Sequence, residues 1–370
     1  MTYKVNFVNP GKNYLMIKEE IDASYQEVMT KGDLIMRNQL KSFEENLASF
    51  VGTKYAIGLN SGYDALHISM IIAGIKPGDE VIVPAHTFLA TASSAVNAGG
   101  TPILIDVAKD YNIDVTQIEE KITARTKAII PVHLNGRPAE IERIMALAQK
   151  HHLIVVEDAC QSLGASVGGK KVGSFGLTGC WSFYPFKILG GYGDGGAITT
   201  NDPKAARQAS LLRYNGEDRE TGEYYYHGFT CLLDNLQAAF LTVKLKHLPQ
   251  WIERRRAIAA RYQAGLSGIP GLNLPHFPDQ RMEEVFQNYV IRTSRRDALF
   301  EYLETAGVET LIHWRKPFYK HKALEMDGES FPETESISRE VLSLPINVEI
   351  LDEEVDYVIQ SVRSFFKQRA

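Results

Sequence analysis

Between Lys54 and Asp202 short β-branched runs alternate with amphipathic stretches, and that alternation restricts the chain to a small set of folds. Residues 55–59, 81–83, 102–105, 128–132 and 153–156 read as buried strands. Residues 62–73, 90–98 and 139–151 have the length and apolar spacing of helical crossovers. Parallel neighbours need such crossovers, so the region predicts a mostly parallel sheet flanked by helices. Ligands of such a sheet gather at the carboxyl ends of its strands.

The alternation stops near Pro249. Residues 251–265 read as a long basic helix, 268–278 as loop, 286–292 as an apolar run, and 296–306 and 353–367 as helices. A chain of 370 residues exceeds one small core. We therefore expect a large domain over residues 1–250 and a smaller C-terminal α+β domain over 251–370.

With 40 basic and 45 acidic residues, the net charge of -5 gives no reason to expect nucleic acid. No signal peptide or long apolar run suggests export or membrane insertion. Cys160, Cys180 and Cys231 are scattered, without a CxxC pair, which suits a reducing cytoplasm and gives no metal site.

The most informative segment is CWSFYPFKILGGYGDGGAITTND, residues 180–202, where Lys187 stands between aromatic residues and a run of glycines. A lysine that forms a Schiff base must be desolvated enough to lose its proton, and glycines let backbone pass close to a flat cofactor. A solvated loop lysine would look the same in this segment alone.

Other segments break the tie. The strand at 153–156 leads into Glu157 and Asp158, placing a carboxylate at the end of a buried strand. A protonated pyridine nitrogen would pair with Asp158 and keep the ring an electron sink, whereas a helix N-cap is the plainer use of such a residue. Gln161 stands within reach of a ring hydroxyl. In LNSGYDAL, Ser61, Gly62 and Tyr63 open a helix whose free N–H groups suit a phosphate, and Ser182 adds a hydroxyl if its strand lies beside them. Phe88, after VPAHT, offers a ring to stack on a pyridine face, or else a core aromatic.

These pieces, with FVNPGKNY, FEENLASFVGTKYAIGLNSGYDAL, GDEVIVPAHTFLAT, EDACQSLGA, SFYPFK, GDGGAITTND, DNLQAA and LSLPIN, resemble the DegT/DnrJ/EryC1/StrS sugar aminotransferases along nearly the whole chain. The resemblance implies an α/β fold, the pyridoxal-phosphate (PLP) transferase fold type I. It implies that Lys187 carries the cofactor, Asp158 binds its ring nitrogen, Gln161 its hydroxyl, and Phe88 stacks on it. Ser61, Gly62, Tyr63 and Ser182 would hold the phosphate, with pyridoxamine phosphate as the form between half-reactions. A homodimer with shared active sites is implied, Thr230 coming from the partner, and His313, Tyr319, Arg213 and Asn215 are candidate substrate contacts. The substrates would be an amino acid, glutamate first, and a nucleotide-linked sugar with a 3- or 4-keto group.

Tyr63 stands where relatives commonly have Thr, and Thr230 and Leu232 where they have Asn and Arg, which bears on phosphate binding. Rival readings are a keto-cyclitol aminotransferase, a PLP-binding regulator and an NAD-dependent sugar dehydrogenase. For the last, the G-x-G-x-x-G at 191–196 leads into a β-prone run rather than a helix. The stretch 164–170 looks like a P-loop, but Lys171 stands where Ser or Thr is required, and His151 and His152 read as solvated residues at a helix end.

Overall fold

The computed structural model describes residues 3–275, 281–322 and 328–367, so positions 276–278 of the expected loop lie outside the described residues. Seven strands form the central sheet: β1 (Tyr55–Leu59), β2 (Glu80–Pro84), β3 (Thr101–Ile105), β4 (Thr126–Ile129), β5 (Ile154–Asp158), β6 (Thr178–Ser182) and β7 (Gly196–Thr200). Their order is β1-β7-β6-β5-β4-β2-β3. Every neighbouring pair is parallel except those made by β7, which runs antiparallel to both β1 and β6. This is the mostly parallel sheet that the alternation predicts.

The crossover helices Gly62–Ile72, Leu89–Asn97 and Ile141–His151 lie within two residues of their expected bounds. β4 stops at Ile129, short of the expected end, because Pro131 has no N–H for a ladder; Val132 returns only to a single bridge with Asp158.

The helix expected over 251–265 runs instead from Asn235 to Leu266, through Pro249 and across the expected boundary at 250/251. Proline inside a helix costs about 3 kcal/mol. Burial on both sides outweighs it: Leu241, Leu245, Leu248 and Ile252 pack in one core cluster, and Ile258, Tyr262 and Leu266 in another. Each such buried side chain is worth about 2 kcal/mol.

The second cluster is shared with a short antiparallel pair, β8 (Tyr289–Arg292) and β9 (Val341–Leu344), and with the helices Arg296–Thr305 and Asp352–Lys367. Asp106, just past β3, ties this part to the central sheet. Its carboxylate accepts from Glu333 N, Thr334 N and Thr334 Oγ1, at 2.7–2.9 Å, capping the helix Pro332–Glu340.

The P-loop-like stretch is a hairpin, with Ser166 and Val167 paired to Lys171 and Lys170. Among the described residues no helix is long and apolar enough to cross a membrane, and no cluster suits a metal ion.

Candidate active site

Lys187 lies on the loop that turns β6 back into β7. The loop is held by Lys187 N donating to Tyr184 O and Gly191 N to Phe183 O, both at 2.8 Å. Gly190 is required there, because a Cβ would stand 2.3 Å from Pro185 O. The Lys187 amine makes no hydrogen bond or ion pair with any described residue. Burial lowers its pKa, against the opposing pull of Cys160 and Asp158. An unpaired amine already biased toward its neutral form is what Schiff-base chemistry requires.

Glu157 and Asp158 end β5 on opposite faces, and their partners separate their roles. Glu157 is saturated by Gly173 N, Phe175 N, Gly176 N and His133 Nε2, at 2.7–3.1 Å. His133 Nδ1 accepts from Ala139 N, which leaves Nε2 as the donor. Asp158 accepts from Thr91 Oγ1 at 2.7 Å and Cys160 N at 3.2 Å, two bonds for a group with about four acceptor sites, so its carboxylate retains acceptor capacity for a cation. Thr91 is in turn 2.8 Å from Thr87 Oγ1. Burial holds the Cys160 thiol well above its ordinary pKa, with Asp158 adding to the shift, and the Lys187 charge pulls against it.

The helix Gly62–Ile72 begins against the end of β6. A Cβ on Gly62 would come within 2.7 Å of Ser182 Cβ and 2.9 Å of Cys160 Sγ. Ser182 therefore lies beside the helix start, as the phosphate argument required. Ser61 caps the helix, accepting from Asp64 N at 3.1 Å and donating to Asp64 Oδ2 at 2.6 Å. The Tyr63 side chain leads away from this cradle: its hydroxyl bonds Asn97 and its ring lies 5.9 Å from that of His67. Its backbone N–H remains at the helix start.

Phe88 is 59% exposed, with Trp314 near-parallel to it at 6.3 Å. Gln161 accepts from Asn135 N at 2.9 Å, which leaves its NH2 end as a donor. His313 reaches the same region, its Nδ1 3.0 Å from Ser343 Oγ; burial and then the Lys187 charge lower its pKa to about 4.

Two further candidates have partners within the chain. Tyr319 is packed in the core with its hydroxyl on Glu335 at 3.3 Å. Arg213 is buried, paired with Glu44 and donating to Gly58 O at 2.9 Å, so its guanidinium braces β1. Thr230 and Asn215 are both exposed and bonded to each other at 2.9 Å.

His86, buried against Trp314 at 5.4 Å, supplies a pH prediction. Burial first, then the charges of His313 and Arg292, depress its pKa to about 3, far below the unfolded value of about 6.5. Below pH 6.5 the unfolded chain takes a proton that the folded chain refuses. Stability is therefore full above pH 6.5 and falls toward pH 3, by about 1.4 kcal/mol per unit. Thermal unfolding of cofactor-free protein at pH 7.5 and pH 5 should show His86→Gln losing about 2 kcal/mol less than wild type. Equal losses would remove His86 as the cause.

The mostly parallel sheet and the whole chain are matched by the comparisons. The model of the DegT/DnrJ/EryC1/StrS aminotransferase family covers residues 15–363. The chain belongs to that family. A Geobacillus stearothermophilus relative called a pleiotropic regulatory protein is 39% identical over 99% of this chain and 100% of its own. The dTDP-3-amino-3,6-dideoxy-alpha-D-galactopyranose transaminase of Aneurinibacillus thermoaerophilus is 41% identical over 98% and 99%. The crystal structure of S. venezuelae DesV in complex with ketimine intermediate superposes with a TM-score of 0.96, at 38% identity over 99% of both chains. The fold, the family and the aminotransferase class expected from the sequence are thus met.

As a DegT/DnrJ/EryC1/StrS aminotransferase the chain also has neighbours that sequence reading missed. Thr91 and Thr87 are ordinary helix-start threonines in the sequence, yet they form a hydroxyl chain to Asp158. Cys160 was visible beside Asp158, but not its closeness to Lys187. Trp314 lies far along the chain from Phe88, and no local signal joins them.

Proposed function

We propose that this DegT/DnrJ/EryC1/StrS aminotransferase takes the amino group of an amino acid, glutamate first, and places it at C3 of a nucleotide-linked 3-keto-6-deoxy sugar. The observation that carries this reading is the unpaired amine of Lys187 beside Asp158, a buried carboxylate with acceptor capacity to spare. The choice of C3 and a dTDP carrier rests on the name of the Aneurinibacillus relative.

When bound, PLP supplies an electron-withdrawing ring that stabilises negative charge on the carbon losing its proton. The chain supplies the rest. Lys187 Nζ would hold the cofactor, and its free amine would take the proton from one carbon and return it to another. Asp158 keeps a proton on the ring nitrogen, and Thr91 and Cys160 N fix the carboxylate's direction. The Gln161 NH2 would donate to the ring hydroxyl, and Phe88 would stack on the ring. The N–H groups at Ser61, Gly62 and Tyr63, with the Ser182 hydroxyl, hold the phosphate at a helix start.

In this reading residues 1–250 are the cofactor-holding domain and 251–370 the smaller one, joined through the continuous helix at 235–266. A homodimer presents Thr230, exposed here, to its partner's phosphate. His313 and Asn215 contact sugar or diphosphate. The three cysteines, all free, suit the cytoplasm. The intact pair Lys187 and Asp158 favours an enzyme over the regulatory role named for the Geobacillus relative.

The test is the absorbance of purified protein with PLP, before and after glutamate, followed by mass spectrometry of dTDP-linked 3-keto sugars incubated with it. The band should move to the pyridoxamine position, and the sugar should gain an amine. No cofactor band defeats the reading; a shifted band with no aminated sugar defeats the substrate assignment, and keto-cyclitols become the next substrates.

A further inference from the structure

The peptide groups on either side of Lys187 are held by one side chain from a distant part of the chain. Gln287 Oε1 accepts from Ile188 N at 2.7 Å, while its Nε2 donates to Phe186 O at 2.9 Å. Gln287 is only 8% exposed, so water competes little for this pair of bonds. The next residue acts on the other side of the pocket. Asn288 Nδ2 donates to Asn135 Oδ1 at 3.0 Å, and Asn135 N donates to Gln161 Oε1 at 2.9 Å.

The segment bearing these two side chains is itself fixed. Arg255 Nη1 donates to Phe286 O at 3.0 Å and Gln287 O at 3.3 Å, and Val285 N donates to Gly136 O at 3.0 Å. Phe286 adopts a left-handed φ of 52°, a conformation that a bulky residue keeps only where its surroundings impose it. Opposite it, Gly136 has φ 92° and no room for a Cβ, which would stand 2.6 Å from Gln287 N. Two backbones in close contact thus place consecutive amide side chains toward Lys187 and Gln161.

We infer that Gln287 and Asn288 are positioning residues: Gln287 sets the direction of the Lys187 backbone, and Asn288, through Asn135, sets the Gln161 amide so that its NH2 faces the pocket. The inference rests on the aminotransferase reading above. It follows that the strand-entry segment before β8 acts together with the loop's own hydrogen bonds in setting where the amine stands. A mere packing role would not require both ends of one amide to bracket a single residue.

The test compares wild type, Gln287→Ala, Gln287→Glu and Asn288→Ala, each loaded with PLP. The readouts are the pH midpoint of the cofactor absorbance and the split between kcat and KM. Loss of the bracket lets the amine wander, and misplacement by about 1 Å costs up to about 100-fold. We expect Gln287→Ala to lower kcat about tenfold or more, with KM for the keto sugar within about twofold, and to move the midpoint. Gln287→Glu keeps the acceptor for Ile188 N but adds a buried negative charge, so its midpoint should rise, since that charge favours the protonated nitrogen. It also serves if the alanine variant does not fold. Asn288→Ala should weaken cofactor binding and leave the midpoint where it is in wild type. A cofactor band in wild type with the same midpoint and kcat in both Gln287 variants overturns the inference alone. No band in wild type overturns the reading beneath it as well.

Discussion

Replacing Lys187 by alanine should abolish amino transfer, lowering turnover by about four orders of magnitude or more, because the residue is asked both to hold the cofactor and to move the proton. The fold should not suffer. The amine has no hydrogen bond or ion pair to lose, and removing a poorly solvated cation relieves an electrostatic cost rather than creating one. Unfolding midpoints of the two cofactor-free proteins should therefore agree within a few degrees while activity disappears. A small primary amine in the medium should restore part of the turnover, since a free base can do from solution what Lys187 does in place. Retained activity in the alanine variant would end the assignment, and collapse of its unfolding midpoint would show that Lys187 is structural.

Asp158→Asn should have the second largest effect, a loss of about 10²–10³ in kcat, comparable with removing a preorganised electrostatic contact. The amide keeps the size of the carboxylate and can still accept from Thr91, so the change removes charge and little else. A neutral amide does not hold a proton on the ring nitrogen, and the electron sink weakens. The same substitution at Glu157 should behave differently, since that carboxylate takes four N–H donors and faces none of the chemistry. Kinetics and unfolding of the two variants, measured side by side, separate them: a kinetic loss for Asp158→Asn, a stability loss for Glu157→Gln. A loss of kcat below tenfold at Asp158 would mean that another group holds the ring nitrogen.

The alternation of strand and crossover was legible, and Lys187, Asp158, Gln161, Ser182 and Phe88 could be singled out as candidates, because each depends on local pattern. A buried strand needs an unbroken apolar run, a helix needs a capped start, and a close turn needs glycine, all within a few residues. The failure at Pro249 has the opposite cause. A helix breaker is a local signal, and the two core clusters that override it are assembled from residues hundreds of positions apart. The partners of Tyr319 and Arg213 were not legible for a related reason: an aromatic or basic side chain looks alike in sequence whether it faces a cleft or closes a core, and here the two bond Glu335 and Glu44.

The sequence by itself determined the sheet class and the family, and singled out Lys187 and Asp158 as the proposed reactive pair, because hydrophobic period and motif spacing act over short distances along the chain. Only the tertiary structure decided that β7 inserts antiparallel between β1 and β6, which brings Ser61 to Gly196 and Gly62 to Ser182. It also decided which of two adjacent carboxylates is saturated and which is left open, and that Gln287 brackets Lys187 from 100 or so residues away. Such choices depend on which surfaces meet once every element is packed, and long-range packing leaves no periodic trace in the chain.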